Sequence, residues 1–238
     1  MNLKEIDRPP IVGKFNIQYF VIDASGRLFL KRIPKENLAL LEQIKIEYTG
    51  TQFLTMGGHF RRRTPQEQSL FAKQAASHKL RVLAPEYMSG EIAYYPFIEK
   101  AQMLDTFFRQ PTVKPDIIIS QLLNDLRIAH AFNVIYGDRW HPNILVAPKI
   151  GIIHIDFDIE ISGSCAKEFE VAQVVYYTVF SGKDTVVSPI CKCLSAGLWC
   201  DPKLVAHFLQ AKTVFFKSTE YGGIESPIKT IIAKSLNK

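Results

Sequence analysis

The sequence predicts an α+β protein in two parts, a small antiparallel sheet with one helix followed by a mostly helical part. Three observations lead to this prediction. β-rich runs joined by short turns occupy much of the first 99 residues, helical patterns dominate from Ala101 onward, and one apolar hairpin interrupts those helices between residues 143 and 156. We therefore expect two lobes, residues 1–99 and residues 100–238, in a chain long enough to bury an ample core.

The first lobe opens with a hairpin. Residues 15–22 and 27–33 are rich in β-forming side chains, and the Asp-Ala-Ser-Gly sequence between them favours a tight turn. Residues 36–60 contain a short helical stretch that looks like an insertion, and we assign it no chemistry. At residues 64–67 a Thr cap, a Pro and a Glu predict the start of a helix. Residues 80–99 then supply two more strands.

The second lobe is predicted from helical periodicity. Residues 101–110 favour a short helix, and a long helix with one apolar face begins near Pro115. A further helix is expected over residues 166–180, and residues 186–238 have the pattern of helices with irregular turns. These helices would support the hairpin from below.

Composition describes an ordinary globular protein, with 47% apolar and 22% charged residues. No run approaches the roughly 18 apolar residues of a membrane helix, and the first ten residues lack an apolar signal core. We expect a cytoplasmic protein with reduced thiols. Cys191, Cys193 and Cys200 suggest a metal site, but no fourth ligand stands at zinc-finger spacing.

The hairpin carries the chemistry. Asp138 precedes it, Asn143 opens its first strand, and Asp156 closes its second, so the three side chains should meet at one end. Carboxylate and amide oxygens grouped in this way suit Mg2+, which prefers few protein ligands together with a bound phosphate. The alternative interpretation is a surface turn, where Asp and Asn are common.

This arrangement resembles the catalytic loop and metal-binding strand end of the protein kinase-like superfamily. In that family an Asp orients the acceptor hydroxyl, an Asn five residues later holds a metal ion, and the Asp of an Asp-Phe-Gly motif holds the metal that bridges the phosphates. The resemblance gives these roles to Asp138, Asn143 and Asp156. Here Tyr-Gly-Asp at 136–138 replaces His-Arg-Asp, and Asp-Phe-Asp at 156–158 replaces Asp-Phe-Gly.

The departures point to an atypical, minimal branch. A Gly before the catalytic Asp resembles the aminoglycoside phosphotransferases and the small kinase of the KEOPS complex, whereas Ile-Asp-Phe-Asp at 155–158 resembles lipopolysaccharide sugar kinases. Only about ten residues separate Asp158 from the next helix, which leaves little room for the long segment on which ordinary protein kinases dock peptides. The family's Gly-rich phosphate loop would fall near residues 8–14, where only Gly13 is present.

The resemblance also implies a nucleotide site. A Lys in the third strand of that family contacts the α and β phosphates and pairs with a Glu of the next helix. Lys31 is our choice over Lys14 or Arg32, and Glu67 is its candidate partner, although Glu67 also suits a capping box.

The adenine site and the supporting residues follow from the same resemblance. Phe97, Ile98 and Glu99 would line the adenine slot. Asp158 would add a metal contact or cap a turn. An acidic residue of the helix over 166–180, either Glu168 or Glu170, would anchor the catalytic loop unless both lie on an exposed face.

Three functions compete. The first is an ATP- and Mg2+-dependent phosphotransferase acting on a hydroxyl of a small molecule, a sugar or a partner protein. The second is a kinase-like nucleotide-binding scaffold or ATPase switch with little transfer. The third is a basic adaptor, because the net charge is +6 and residues 61–63 are consecutive arginines that would attract RNA or an acidic protein unless they form a solvated face.

Overall fold

The computed structural model describes residues 3–111 and 113–236, and its first lobe is built on an antiparallel sheet. The strands of that sheet are β1 (Lys4–Glu5), β2 (Ile11–Val12), β3 (Asn16–Ile22), β4 (Leu28–Pro34), β6 (Tyr87–Ser89) and β7 (Ile92–Pro96). Their order is β1-β3-β4-β7-β6, and β2 also pairs with β3. The predicted hairpin is therefore confirmed as β3 and β4.

The turn of this hairpin is fixed by one side chain. The Asp23 carboxylate accepts hydrogen bonds from the amides of Ser25 and Arg27 at 2.8 and 3.0 Å. Such a turn pairs Tyr19 with Lys31 across the two strands. Because successive side chains of a strand point to opposite faces, Lys31 and its neighbour Arg32 lie on opposite sides of the sheet.

The segment before β6 is irregular, although the sequence predicted a strand from residue 80. Val82 forms a bridge with His154 of the second lobe, and the Leu83 amide donates to the His154 carbonyl at 2.9 Å. Pro85 lacks an amide hydrogen and so cannot continue a ladder. This stretch therefore joins the two lobes instead of extending the sheet.

Two helices follow β4 in the first lobe. Helix α1 (Leu38–Gly50) begins at the Asn37 cap, and helix α2 (Pro65–Ser77) begins at Thr64 with the predicted capping box. Between them, β5 (His59–Arg62) pairs with β11 (Ile159–Ser162) of the second lobe. Helix α1 also packs on a C-terminal helix, so this part of the first 99 residues lies against the second lobe.

The second lobe is mostly helical. Its helices are α3 (Leu104–Arg109), α4 (Pro115–Ala131), α5 (Ala166–Gly182), α6 (Val187–Ser195), α7 (Pro202–Phe216) and α8 (Glu225–Ile231). Helix α5 is buried along nearly its whole length and packs against α3 and α7. Among the helices of the described residues, none is long and apolar enough to cross a membrane.

The predicted second hairpin is present. Strands β9 (Ile144–Ala147) and β10 (Gly151–His154) pair from Ala147–Gly151 at the turn to Ile144–His154 at the open end. Strand β8 (Gln102–Met103) adds to the other edge of β9. The open end of this hairpin, packed over α4, carries the segments that hold Asp138, Asn143 and Asp156.

Candidate active site

The catalytic loop and the end of β10 meet as the sequence predicted. The side-chain amide of Asn143 donates to the main-chain carbonyl of Asp138 at 2.8 Å. The Ile155 amide donates to the Asn143 carbonyl at 3.0 Å, which places Asp156 beside the loop. The donor end of the Asn143 amide is thus committed to holding the loop, and its oxygen is the end left to act as a ligand.

Arg139 clamps these segments from inside. Its side chain is fully buried, and its guanidinium donates to the carbonyls of Asn143, Ile155 and Asp156 at 3.3, 3.1 and 2.6 Å. The ring of Phe157 lies 5.2 Å from the guanidinium carbon. One buried cation therefore fixes both ends of the hairpin, a role that the sequence did not suggest.

Gly137 explains the departure from His-Arg-Asp. Its φ is +105°, and an added Cβ would lie 1.9 Å from the Ile159 carbonyl oxygen, so no larger residue fits. The Gly137 amide donates to Glu170 of α5 at 2.8 Å. The other Glu170 oxygen pairs with His130 at 2.7 Å, and His130 accepts from the Trp199 indole at 2.8 Å.

Of the two predicted acidic residues, Glu170 is therefore the one that bonds the loop carrying Asp138. Glu168 instead accepts from the Asp201 amide at 3.2 Å, away from the loop. The two acidic residues on α5 separate because residues two positions apart on a helix do not share a face.

Asp138 lies in a polar pocket roofed by the inserted helix. Its Oδ1 accepts from the Tyr48 hydroxyl and from the Gln173 amide, both at 3.3 Å. Burial, followed by the negative charge of Glu47, raises the pKa of Asp138 to about 6. Helix α1, to which the sequence assigned no chemistry, therefore contributes Glu47 and Tyr48 to the site.

Asp156 and Asp158 share one partner, Arg32. The guanidinium of Arg32 donates to Asp156 at 2.6 Å and to Asp158 at 2.8 Å. Burial works against ionisation, but the Arg32 charge and a hydrogen bond from Asp158 hold the pKa of Asp156 at about 2. Burial and the Asp156 charge raise the pKa of Asp158, so ionisation of either carboxyl group opposes ionisation of the other.

This donor set fits a magnesium ion. Mg2+ is usually bound through one or two carboxylates together with substrate phosphates. Asp156 and the Asn143 amide oxygen supply such a set, and Asp158 lies beside them, bonded to Arg32. Across the described residues, no group of three or more His, Cys, Asp or Glu side chains forms an all-protein metal cage. The cysteines that suggested a metal site are free thiols.

The predicted Lys31–Glu67 pair is wrong. The Lys31 ammonium pairs with Glu5 at 2.6 Å, on the face of the sheet opposite Arg32. Glu67 closes the capping box with the Thr64 amide at 2.7 Å and pairs with Arg61 at 2.8 Å. Strand alternation points Lys31 away from the second lobe. Its neighbour Arg32, which the sequence analysis ranked below Lys31, is therefore the strand cation at the site.

In the segment expected to bind adenine, some main-chain groups already form hydrogen bonds with other residues of the chain. The Phe97 amide donates to the Leu28 carbonyl at 3.1 Å, and the Ile98 carbonyl accepts from the Ala101 amide at 3.4 Å. The Phe97 ring packs against Phe20 at 5.7 Å between centroids, whereas Glu99 is exposed. The binding of adenine by Phe97, Ile98 and Glu99 stays a prediction.

The segment at the position of the Gly-rich loop brings one lysine over the catalytic loop. The carbonyls of Gly13 and Lys14 accept from Lys35 at 3.1 Å and from Asn37 at 3.2 Å. The Lys14 ammonium lies 3.8 Å from the centre of the Trp140 ring. Burial lowers the pKa of Lys14, while the charge of Asp138 opposes that shift. A cation therefore lies over the loop that carries Asp138.

The three consecutive arginines all make contacts with other residues of this chain. Arg63 is buried and donates to the carbonyls of Tyr136, Phe157 and Ile159. Arg61 pairs with Glu67 and Glu160, and Arg62 donates to the Lys35 carbonyl. These contacts do not support the predicted basic surface for RNA or an acidic protein.

Comparison with known proteins found matches by structure and none by sequence. No protein-family model matches the sequence, and no curated protein matches it. The structure is similar to that of the Rio2 kinase–ADP/Mg2+–phosphoaspartate complex from Chaetomium thermophilum, with a TM-score of 0.51 and 17% identity. The similar region covers 99% of this chain and 68% of that one. The chain has a protein kinase-like fold.

The kinase-like fold confirms the predicted fold class, whereas the atypical branch stays a prediction. The narrower resemblances to aminoglycoside, KEOPS and lipopolysaccharide kinases stay predictions. Because 1156 solved chains match the structure, the fold alone names neither the acceptor nor the activity.

Proposed function

We propose that the protein is an ATP- and Mg2+-dependent phosphotransferase of atypical kinase type. The observation that carries the proposal is the convergence of Asp138, Asn143 and Asp156 at one end of the hairpin, held there by buried Arg139. Phosphoryl transfer relies mainly on positioning and charge neutralisation, so few residues suffice.

Each residue of the site has a role that matches its surroundings. Asp138 would orient the acceptor hydroxyl and take up its proton. Asn143 and Asp156 would hold Mg2+, with Asp158 beside them, and Arg32 would contact the phosphates. Bound Mg2+ would neutralise charge on the phosphates.

A small-molecule or sugar acceptor is favoured by the wall beside Asp138. Tyr48 is fully buried, with its ring packed against Phe53, Phe60 and Phe169 at 5.6, 5.4 and 5.0 Å between centroids. The next residue toward the N-terminus, Glu47, pairs with the fully buried Lys212 at 2.8 Å. Because α1 is part of the core, it would restrict the approach of an extended peptide.

The test is transfer of the labelled γ-phosphate of ATP to a panel of monosaccharides, amino sugars and casein. Asp138→Asn should reduce transfer by at least about 100-fold, whereas Asp7→Asn, at an exposed position, should leave it unchanged. Transfer by the Asp138→Asn protein at the wild-type rate would contradict the role of Asp138.

The second candidate is a nucleotide-binding scaffold or ATPase switch. It is favoured by the two hydrogen bonds that already occupy Asp138 Oδ1 and by the lack of a glycine-rich loop. A wild-type protein that is stabilised by Mg-ATP but transfers no label would support this alternative. If Mg-ATP produces no increase in the melting temperature, both nucleotide hypotheses fail.

A further inference from the structure

Arg32 has no acidic partner on the helix that faces it. In kinases the strand lysine pairs with a glutamate of the following helix. Two α2 residues, Pro65 and Gln68, line the cleft with Arg32. The polar one, Gln68, is itself buried, and its amide donates to the Arg63 carbonyl at 3.1 Å. The one acid in the first turn of α2, Glu67, is exposed and engaged at the cap.

The acid that meets Arg32 comes from the hairpin instead. Asp158 is 6% exposed and accepts from Arg32 at 2.8 Å, and it lines the same cleft as Arg32 and Gln68. Asp156 adopts a φ of +58°, and the Phe157 ring turns away to pack on Phe71 at 5.1 Å. Residues 156 and 158 thus present both carboxyl groups to one guanidinium.

The two carboxyl groups differ in their access to solvent. The Asp156 side chain is 30% exposed, whereas that of Asp158 is 8% exposed. Asp156 is therefore the more accessible of the two carboxyl groups to a ligand from solvent. When Asp156 turns to such a ligand, Asp158 is the carboxyl group that still holds Arg32.

We propose that Asp158 is a positioning residue that holds Arg32 toward the nucleotide phosphates, in the role that a helix glutamate has in other kinase-like proteins. This inference rests on the proposed function, and it assigns Asp158 to the guanidinium and not to the metal. Asp156 then remains the sole carboxylate offered to Mg2+.

The experiment measures ADP binding by calorimetry in EDTA, where no metal contributes. Asp158→Ala should weaken metal-free ADP binding by about tenfold or more, because a charge-assisted hydrogen bond that orients Arg32 is lost. Gln68→Glu in the same chain should restore most of that affinity by returning an acid to the helix. Asp184→Ala, at an exposed position of the second lobe, is the matched control.

The outcomes separate the two roles. If Asp158 is a metal ligand, Asp158→Ala leaves metal-free ADP binding unchanged, raises the Mg2+ concentration needed for half-maximal transfer, and is not rescued by Gln68→Glu; that result would overturn the inference. Asp158→Asn serves where the alanine protein does not fold, with the melting temperature as the check. Absence of ADP and Mg-ATP binding in the wild-type protein would instead count against the proposed function.

Discussion

The loop that carries Asp138 and the antiparallel sheet of the first lobe differ in how firmly their candidate functional side chains are held. Around the loop, buried Arg63, Arg139 and Glu170 together bond main-chain groups on both sides of the hairpin. On the sheet, Lys31 has one ion pair, with a partly exposed Glu5. Arg32 is the exception, because it reaches across to the second lobe. The loop that carries Asp138 is therefore fixed by several buried groups, while the sheet reaches the site through one cation.

The strongest test of this contrast is Gly137→Ala. The new methyl group would overlap the Ile159 carbonyl at a φ of +105°, so we expect a loss of about 4 kcal/mol or more in the free energy of unfolding. Gly26→Ala, at φ +82° with nothing within 4 Å, should cost about 1 kcal/mol. Equal losses in urea denaturation would mean that the loop is not tightly held.

Arg139→Met is the next largest perturbation. Three buried or partly buried carbonyls would lose their donor, and we expect a loss of about 3 kcal/mol in unfolding free energy. Arg109→Met removes a side chain that is 73% exposed and should change stability by less than about 1 kcal/mol. The comparison fails if both substitutions have similar effects.

The pH dependence of transfer tests the pocket around Asp138. The carboxylate must be ionised to accept a proton, and its pKa is raised to about 6 by burial and by Glu47. The rate at saturating Mg-ATP should therefore fall about tenfold per pH unit below that value and level off above it.

Lys14→Met sharpens this measurement. Lys14 lowers the pKa of Asp138, so its removal should move the acidic limb to higher pH by less than about one unit. Lys73→Met, on the exposed face of α2, should leave the limb in place. A shift toward lower pH would contradict the assignment of the limb to Asp138.

Lys31→Met should have the smallest effect. Its ion pair with Glu5 lies on the outer face of the sheet, so we expect a change of at most about 0.5 kcal/mol in stability and less than about threefold in Mg-ATP affinity. Arg32→Met, measured beside it, should weaken nucleotide binding much more. The reverse ranking would restore Lys31 as the phosphate-binding residue.

The sequence could predict the hairpin at residues 143–156 and the meeting of its ends, because strand alternation and a short turn leave one way to pair the two runs. The cap at Thr64 and the start of α4 could also be predicted, because each depends on a pattern of a few neighbouring residues. For the glutamate that bonds the loop carrying Asp138, the sequence offers two candidates on α5, and the geometry of the helix selects one of them.

Other contacts could not be predicted from local sequence patterns. Arg32 and Lys31 are adjacent cations, and the difference between them is the face of the sheet that each occupies. Arg139 and Lys212 are residue types usually found at the surface, but both side chains are fully buried. Helix α1 resembled an insertion, yet Tyr48 reaches Asp138 from 90 residues away along the chain.

By itself, the sequence determined the two hairpins, the capped start of α2 and the long helices α4 and α5, and that Asp138, Asn143 and Asp156 belong to one end of a ribbon. Only the tertiary structure decided which cation faces them, which helix roofs the acceptor side, and which buried arginine ties the loop together. The physical reason is range. Turns and periodicity act over a few neighbouring residues, whereas ion pairs and buried hydrogen bonds join residues that the fold alone brings within hydrogen-bonding distance.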